Sequence, residues 1–472
     1  MAGDTQEMAD ERRGEWGSRV GFILAAAGSA VGLGNVWKFP YITGENGGGL
    51  FVLIYLVCIL AVGLPIMIAE VMLGRMSQRS PVSAFKQLAG DKSLWRGVGW
   101  IGVLAGFVIL SYYSVVAGWA LEYTVFSASG AIEGADPAAL TQRFGQVAGN
   151  GSGAILWHVA FMAITIAIVI GGVQKGVEIA ARVLMPLLLL MFIALLIFAS
   201  QLEGFGEGAS FVFGLHTDNF GPGSVLEALG HSFFTLSVGM GAMLTYGSYL
   251  KKDDDIVVAS VAITVIDTLV ALMACLVLFP ITFTYGMEPA AGPSLVFQNI
   301  PIALAQLPGS TIWAVTFFLL LVFAALTSAI SLLEVTASYF IDELGWSRSV
   351  AVPVTGGAII LLGIPSALAA SSHTFGAGME AAIGMNWFDL FDYVSSNWML
   401  PLCGLGISLF AAWRVGEQAR RVQFAAGSTL GKIEGLYVAW LQVLRFVVPI
   451  AIVLIMLHAL KVFELLGLTG AT

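Results

Sequence analysis

The sequence predicts an all-α membrane protein of about 11 transmembrane helices, arranged as two inverted five-helix repeats in which helices 1 and 6 are unwound. Three observations lead there. Hydrophobic residues make up 58% of the chain and charged residues 11%, with a mean hydropathy of +0.89, well outside the composition of ordinary water-soluble domains. Apolar runs of about twenty residues or more, enough to cross about 30 Å of hydrocarbon as helices, recur from Gly17 to Phe463. Two of these runs, five spans apart, carry glycine-rich interruptions where an anchor would carry Leu, Ile or Val. Continuous runs exclude an outer-membrane barrel, whose strands would be short and alternating.

Taken in order, the expected spans are 18–42, 49–75, 98–126, 154–172, 177–200, 225–250, 255–285, 310–343, 349–371, 386–414 and 435–463. The chain then divides into a tail (1–17), a first repeat (18–200), a connection (201–224), a second repeat (225–414), a loop (415–434) and a final helix with a short terminus (435–472). Positive charge is retained on the cytoplasmic side during insertion. One side holds Arg12, Arg13, Arg19, Arg75, Arg79, Lys86, Lys92, Arg96, Lys175, Arg182, Lys251, Lys252, Arg348, Arg414, Arg420, Arg421, Lys432 and Arg445, and the other only Lys38, Arg143 and Lys461. This places the amino terminus in the cytoplasm, and the 201–224 connection and the carboxyl terminus outside; a twelfth span would reverse the latter.

The first seventeen residues are polar and mostly acidic, so no removable signal peptide is expected. Cys58, Cys275 and Cys403 all fall inside apolar spans and read as buried thiols, not a disulfide framework. The net charge of -9 comes largely from the tail and outer loops, and no basic stretch suggests a nucleic-acid partner. Short tails and a cysteine-free outer loop favour a prokaryotic inner membrane, with membrane lipid as surroundings and a monomer or weak dimer as the state. Asn150-Gly151-Ser152 matches a glycosylation acceptor, a pattern that three residues meet often by chance.

The first interruption is Gly28-Ser29-Ala30-Val31-Gly32-Leu33-Gly34-Asn35, and the second is Thr235-Leu236-Ser237-Val238-Gly239-Met240-Gly241. Glycine destabilises a helix interior and frees amides and carbonyls that the bilayer cannot satisfy. Either run alone reads equally well as a packing face of small residues. Two runs in corresponding positions, each joined to hydroxyl or amide side chains, point to a transporter whose broken helices bind solute and ions at the midplane. Helix amino termini suit a carboxylate, and freed carbonyls suit a hard cation.

These residues resemble the neurotransmitter:sodium symporter family, whose members share the fold named after the bacterial leucine transporter (LeuT-type). The most specific signature is Gly32-Leu33-Gly34-Asn35-Val36-Trp37-Lys38-Phe39-Pro40-Tyr41 followed by Glu45-Asn46-Gly47-Gly48-Gly49. Ser111-Tyr112-Tyr113, Phe233-Phe234-Thr235-Leu236-Ser237 and Leu326-Thr327-Ser328 support it, so the likeness covers nearly the whole chain. The resemblance implies two sodium ions and no organic cofactor. One ion would take the side chains of Asn35 and Thr235, the carbonyl of Ala30, Asp267 and the substrate carboxylate. The other would take carbonyls of Gly28, Val31 and Ala324 with the hydroxyls of Thr327 and Ser328, all hard oxygen donors. A substrate carboxylate shared with a cation couples the two in a low-dielectric cavity.

Asp267 stands where many relatives have Asn, and an intramembrane acid is costly unless paired. In chloride-requiring relatives an anion lies near a Tyr, a Gln and a Ser; here Tyr55 is present, His231 replaces the Gln and Ala271 the Ser. The resemblance with these departures implies chloride-independent transport, with Asp267 supplying the charge. A structural hydrogen bond is the expectation for His231, and Glu70 is expected to hydrogen-bond the unwound part of the sixth span.

Monoamine carriers of the family pair the substrate amine with an Asp at the position of Gly32. Its absence leaves the amides of Leu33 and Gly34 for a carboxylate and carbonyls of the sixth span for an α-ammonium. By position, the pocket would comprise Ala30, Leu33, Gly34, Ile109, Tyr113, Phe234, Thr235, Ser237, Met240, Ser328 and Leu332. Its apolar lining favours neutral aliphatic or aromatic side chains over charged ones. Tyr113 and Phe234 would form a lid, Lys38 and Asp392 an outer latch, Arg13 and Asp342 a cytoplasmic pair, and Trp16 an apolar plug. Gly176 and Pro186 could let the fifth span unwind toward the second ion. Two rivals remain: a proton-driven exchanger of this fold, which would not need the Asn35, Thr235, Thr327 and Ser328 oxygens, and a sodium symporter for glycine or a taurine-like compound. No nucleophile, base and acid cluster by motif, so no enzyme is expected.

Overall fold

The computed structural model describes residues 14–215, 219–287, 295–370 and 374–465, and among these all regular structure is helical. The first span is a bent pair, α1 (Arg19–Ala30) and α2 (Gly34–Glu45), meeting at 49°. Then follow α3 (Gly49–Ser77), α4 (Arg96–Ala128), α5 (Gly151–Ile170) and α6 (Val173–Ala199). The sixth span is two short helices, α7 (Pro222–Thr235) and α8 (Ala242–Gly247). Beyond it lie α9 (Ile256–Thr284), α10 (Ser310–Leu344), α11 (Arg348–Ala367), α12 (Trp387–Arg414) and α13 (Glu434–Ala459).

Each predicted span therefore has its helix or broken pair. By length and composition alone, the described residues hold nine membrane-crossing helices, or up to 10 with the bent pair. The eleventh escapes that test because α7 and α8 are each too short, which is the direct result of the Leu236–Gly241 interruption. Short helices that hydropathy does not predict occupy the connections, among them Pro81–Ala89, Pro137–Gly149, Phe205–Phe213 and Glu417–Ala425.

Local signals explain several boundaries. Ser18 caps α1 by accepting from the Gly21 amide at 2.9 Å, and Asp255 caps α9 by accepting from the amides of Val257 and Val258, each removing an orphan donor. Burial then sorts the spans: 78% of the apolar stretch of α4 and of α10 is buried, against 28% for α6. Thus α4 and α10, which also pack against each other, form the interior wall, while α6 faces largely outward to lipid. Near its start α6 has a π-turn over Val173–Glu178, and Pro186 lies inside it, the two irregularities marked in sequence by Gly176 and Pro186. The three cysteines are buried and free.

Candidate functional site

The first helix stops at Ala30 because Val31 turns to an extended conformation, φ -72° and ψ 97°. The amides released there find partners: Gly32 N donates to Asn35 Oδ1 at 3.1 Å and Leu33 N to the Tyr113 hydroxyl at 3.1 Å. In the second break Ser237, Gly239 and Gly241 are left-handed, with φ of 52°, 80° and 74°. For Ser237 that conformation is strained, and its hydroxyl is tied to Ser29 O at 2.7 Å. Gly239 N donates to Glu70 Oε1 at 2.5 Å, and a Cβ at Gly239 would stand 2.5 Å from Leu400 O. Side chains thus replace the missing helical partners, as burial without water requires.

Between the breaks lies a narrow cavity of about 30 Å³. It is lined by Ala30, Gly34, Ile109, Tyr113, Phe234, Thr235, Ser237, Met240, Ser328 and Leu332, together with Ser29 and Gly32. Of the predicted pocket residues only Leu33 is outside that lining; it borders a second cavity of about 240 Å³ on the side away from the basic face. A guest larger than a few atoms has to displace the lining, and the unbranched Met240 is its most adaptable member. At Gly32 a Cβ would stand 2.5 Å from Ser328 Oγ and 2.9 Å from the Tyr113 hydroxyl. Gly32→Ala is therefore expected to lower transport at least about tenfold, the effect of roughly 1.4 kcal/mol of overpacking; initial uptake rates at matched surface expression measure it.

The residues predicted for the first ion converge. Asp267 is fully buried; its Oδ1 accepts from Asn35 Nδ2 at 2.7 Å and from Thr235 Oγ1 at 3.1 Å, and its Oδ2 accepts from Thr235 Oγ1 at 3.0 Å. Ala30 and Thr235 also line the narrow cavity, so the carboxylate cluster and the cavity share a wall. For the second set, Ser328 Oγ lies 3.3 Å from Gly28 O and 3.0 Å from Ser29 O, and Thr327 Oγ1 donates to Ala324 O at 3.0 Å. A Cβ at Gly28 would meet Thr327 Cβ at 3.0 Å and Met185 Sδ of α6 at 3.2 Å. Val31 is the residue at which α1 ends. Among the described residues no three His, Cys, Asp or Glu groups gather as a metal site. An oxygen set with one acid suits a small monovalent cation.

Tyr113 and Phe234 line both the narrow cavity and the one above it, so they form the partition between them. Lys38 Nζ lies 3.9 Å from Asp392 Oδ2, at the limit of an ion pair, and 4.9 Å above the Phe234 ring. Asp392 also accepts from Tyr112 OH and Ser396 Oγ, each at 2.9 Å. Because Lys38 and Asp392 are both partly exposed, that pair holds weakly.

On the basic side Trp16 is buried at 4% exposure. Its indole nitrogen donates to Tyr246 O at 2.9 Å, and its ring packs edge-on against Tyr246 at 5.2 Å. Arg13 lies outside the described residues. Asp342 accepts from the Ser80 amide at 2.6 Å.

Sequence reasoning missed a network beside this plug. Glu334 of α10, fully buried, accepts from both arms of Arg348, at 2.7 and 2.5 Å, and from Tyr249 OH at 2.6 Å. Arg348 also donates to Val169 O at 2.9 Å. Glu178 is a second omission: it accepts from Gly17 N at 2.7 Å and from Arg182, joining the π-turn of α6 to the amino-terminal segment. The available signal was an acid deep in an apolar run, as at Glu334. His231 corrects another expectation, since neither ring nitrogen has a hydrogen-bond partner among the described residues. Instead it stacks on Phe39 at 5.5 Å and lies 5.7 Å from the Tyr55 ring.

The chain matches the family described as the sodium:neurotransmitter symporter family over residues 13–135 and 146–470. A sodium-dependent transporter of Bacillus subtilis, YhdH, is 37% identical over 458 residues, covering 97% of this chain and 100% of the relative. A sodium-dependent transporter of Haemophilus influenzae is 32% identical, covering 96% and 99%. Among solved structures, that of MhsT in complex with L-phenylalanine is similar with a TM-score of 0.86 and 42% identity, over 95% of this chain and 100% of that one.

Proposed function

The chain belongs to the sodium:neurotransmitter symporter family, and from that membership we propose that it carries neutral, mainly hydrophobic L-amino acids across the membrane together with sodium, by alternating access. The observation that carries this reading is the shared wall between the narrow cavity and the Asn35, Thr235 and Asp267 cluster. A substrate carboxylate near the amides of the first break would sit against a sodium ion held by that cluster. Each would offset the other's desolvation, so neither enters alone at comparable cost. A second sodium would bind among Gly28, Val31, Ala324, Thr327 and Ser328 and lock α1 to α10. The similarity to a structure holding L-phenylalanine supports an amino acid as cargo.

The cavity's apolar members favour aliphatic and aromatic side chains, and no acid among its lining residues would neutralise a lysine. Asp267 supplies a negative charge beside the first ion, so transport does not need chloride. The positive-inside distribution places the amino terminus and the Trp16 plug in the cytoplasm and the Lys38 latch outside. Uptake into proteoliposomes across the standard amino acids, with and without a sodium gradient, tests the whole reading. Expected are sodium-dependent accumulation of leucine and phenylalanine, competition by tryptophan but not lysine, and an unchanged rate when gluconate replaces chloride. Accumulation that persisted with potassium in place of sodium would overturn it.

A further inference from the structure

The face of α12 and α13 at the basic end carries two arginines, Arg414 and Arg445, that form no close ion pair among the described residues. Arg445, on α13, lies 5.0 Å above the Trp413 ring, and its Nε is buried with no hydrogen-bond partner among the described residues. Arg414 ends α12 next to Trp413 and is exposed. The acids of the adjoining loop, Glu417 and Glu434, are already taken by Arg421 at 2.9 and 2.6 Å. Around Arg445 the surface is apolar: Trp413 is 58% exposed, Phe446 52%, Val447 44% and Ile450 61%.

Depth places this corner at a membrane boundary. From Arg445 to Lys461, the cations bracketing the apolar run of α13, is about 24 Å at about 1.5 Å per residue. That is slightly less than a hydrocarbon core of about 30 Å, so each long side chain reaches a surface by snorkelling. Trp413 beside Arg445 is where an interfacial aromatic belongs.

We propose that Arg445, Trp413 and Arg414 form a binding site for the phosphate headgroup of an anionic phospholipid whose acyl chains lie along Phe446, Val447 and Ile450. The guanidinium fork of Arg445 matches two phosphate oxygens. The exposed apolar strip continuing from it gives the acyl chains a surface that free phosphate could not use.

Native mass spectrometry of the full-length protein, titrated with phosphatidylglycerol and with phosphatidylcholine, tests this. The wild type is expected to prefer phosphatidylglycerol, and Arg445→Gln and Arg414→Gln each to lower that affinity about fivefold, the effect of removing one cation near a lipid surface. Phosphatidylcholine, whose choline cation offsets its phosphate, should lose less affinity, and an unchanged melting temperature reports that the variants are folded; if Arg445→Gln does not fold, Arg414→Gln carries the test. Inorganic phosphate should not displace the lipid. Equal phosphatidylglycerol affinity in wild type and variants, no preference over phosphatidylcholine, or displacement by phosphate would each overturn the proposal. None of these readouts depends on which solute is transported.

Discussion

Asp267→Ala is expected to weaken sodium binding by about 100-fold or more and to abolish sodium-driven uptake at ordinary salt. Asp267 is the sole acid in its cluster and is fully buried. Removing it leaves the ion, until a substrate carboxylate arrives, facing neutral oxygens in a low-dielectric site, where an unpaired charge costs about 3–5 kcal/mol. It also leaves the Asn35 amide and the Thr235 hydroxyl without their main acceptor, at about 1–3 kcal/mol each. Asp267→Asn keeps the volume and most of the hydrogen bonding but not the charge, so it separates the two effects. It should melt near the wild-type temperature and still show a raised half-saturation for sodium. Wild-type sodium dependence in both variants, read from radiolabelled substrate binding across a sodium series, would remove Asp267 from the ion site.

Arg348→Ala is the second large effect. It strips both forked bonds, and with them the guanidinium charge, from a carboxylate that has no exposure. Breaking a buried ion pair by removing one partner costs about 3–5 kcal/mol, because the remaining buried charge loses its counter-charge. Thermal melting in detergent should fall clearly. The double variant Arg348→Ala with Glu334→Gln should recover much of the loss, since no uncompensated charge is left. A double variant no more stable than Arg348→Ala would mean that the pair acts by packing alone.

What could be read from the sequence follows what the membrane demands locally. Spans were legible because lipid forces long apolar helices, and the two breaks were legible because Gly28 through Asn35 and Thr235 through Gly241 cannot be ordinary anchors. The cavity lining, apart from Leu33, was legible through resemblance. The Glu334, Arg348 and Tyr249 network was not, because its members come from α10, α11 and the turn after α8, and no repeating spacing joins them. Glu178 pairs with Arg182 at a helical spacing, but its bond to the amide of Gly17, from a distant segment, has no signature in the sequence. His231 misled because a buried imidazole ordinarily finds a hydrogen bond, whereas here aromatic faces surround it.

The methionine of α6 that abuts Gly28 stands beside the proposed second ion site. A π-turn already holds one residue more than an α-turn, so that helix can peel at its start without first breaking a regular ladder. If the proposed second ion site is emptied toward the basic side, a swung side chain and a frayed helix end would suffice, with the buried scaffold of α4 and α10 left in place.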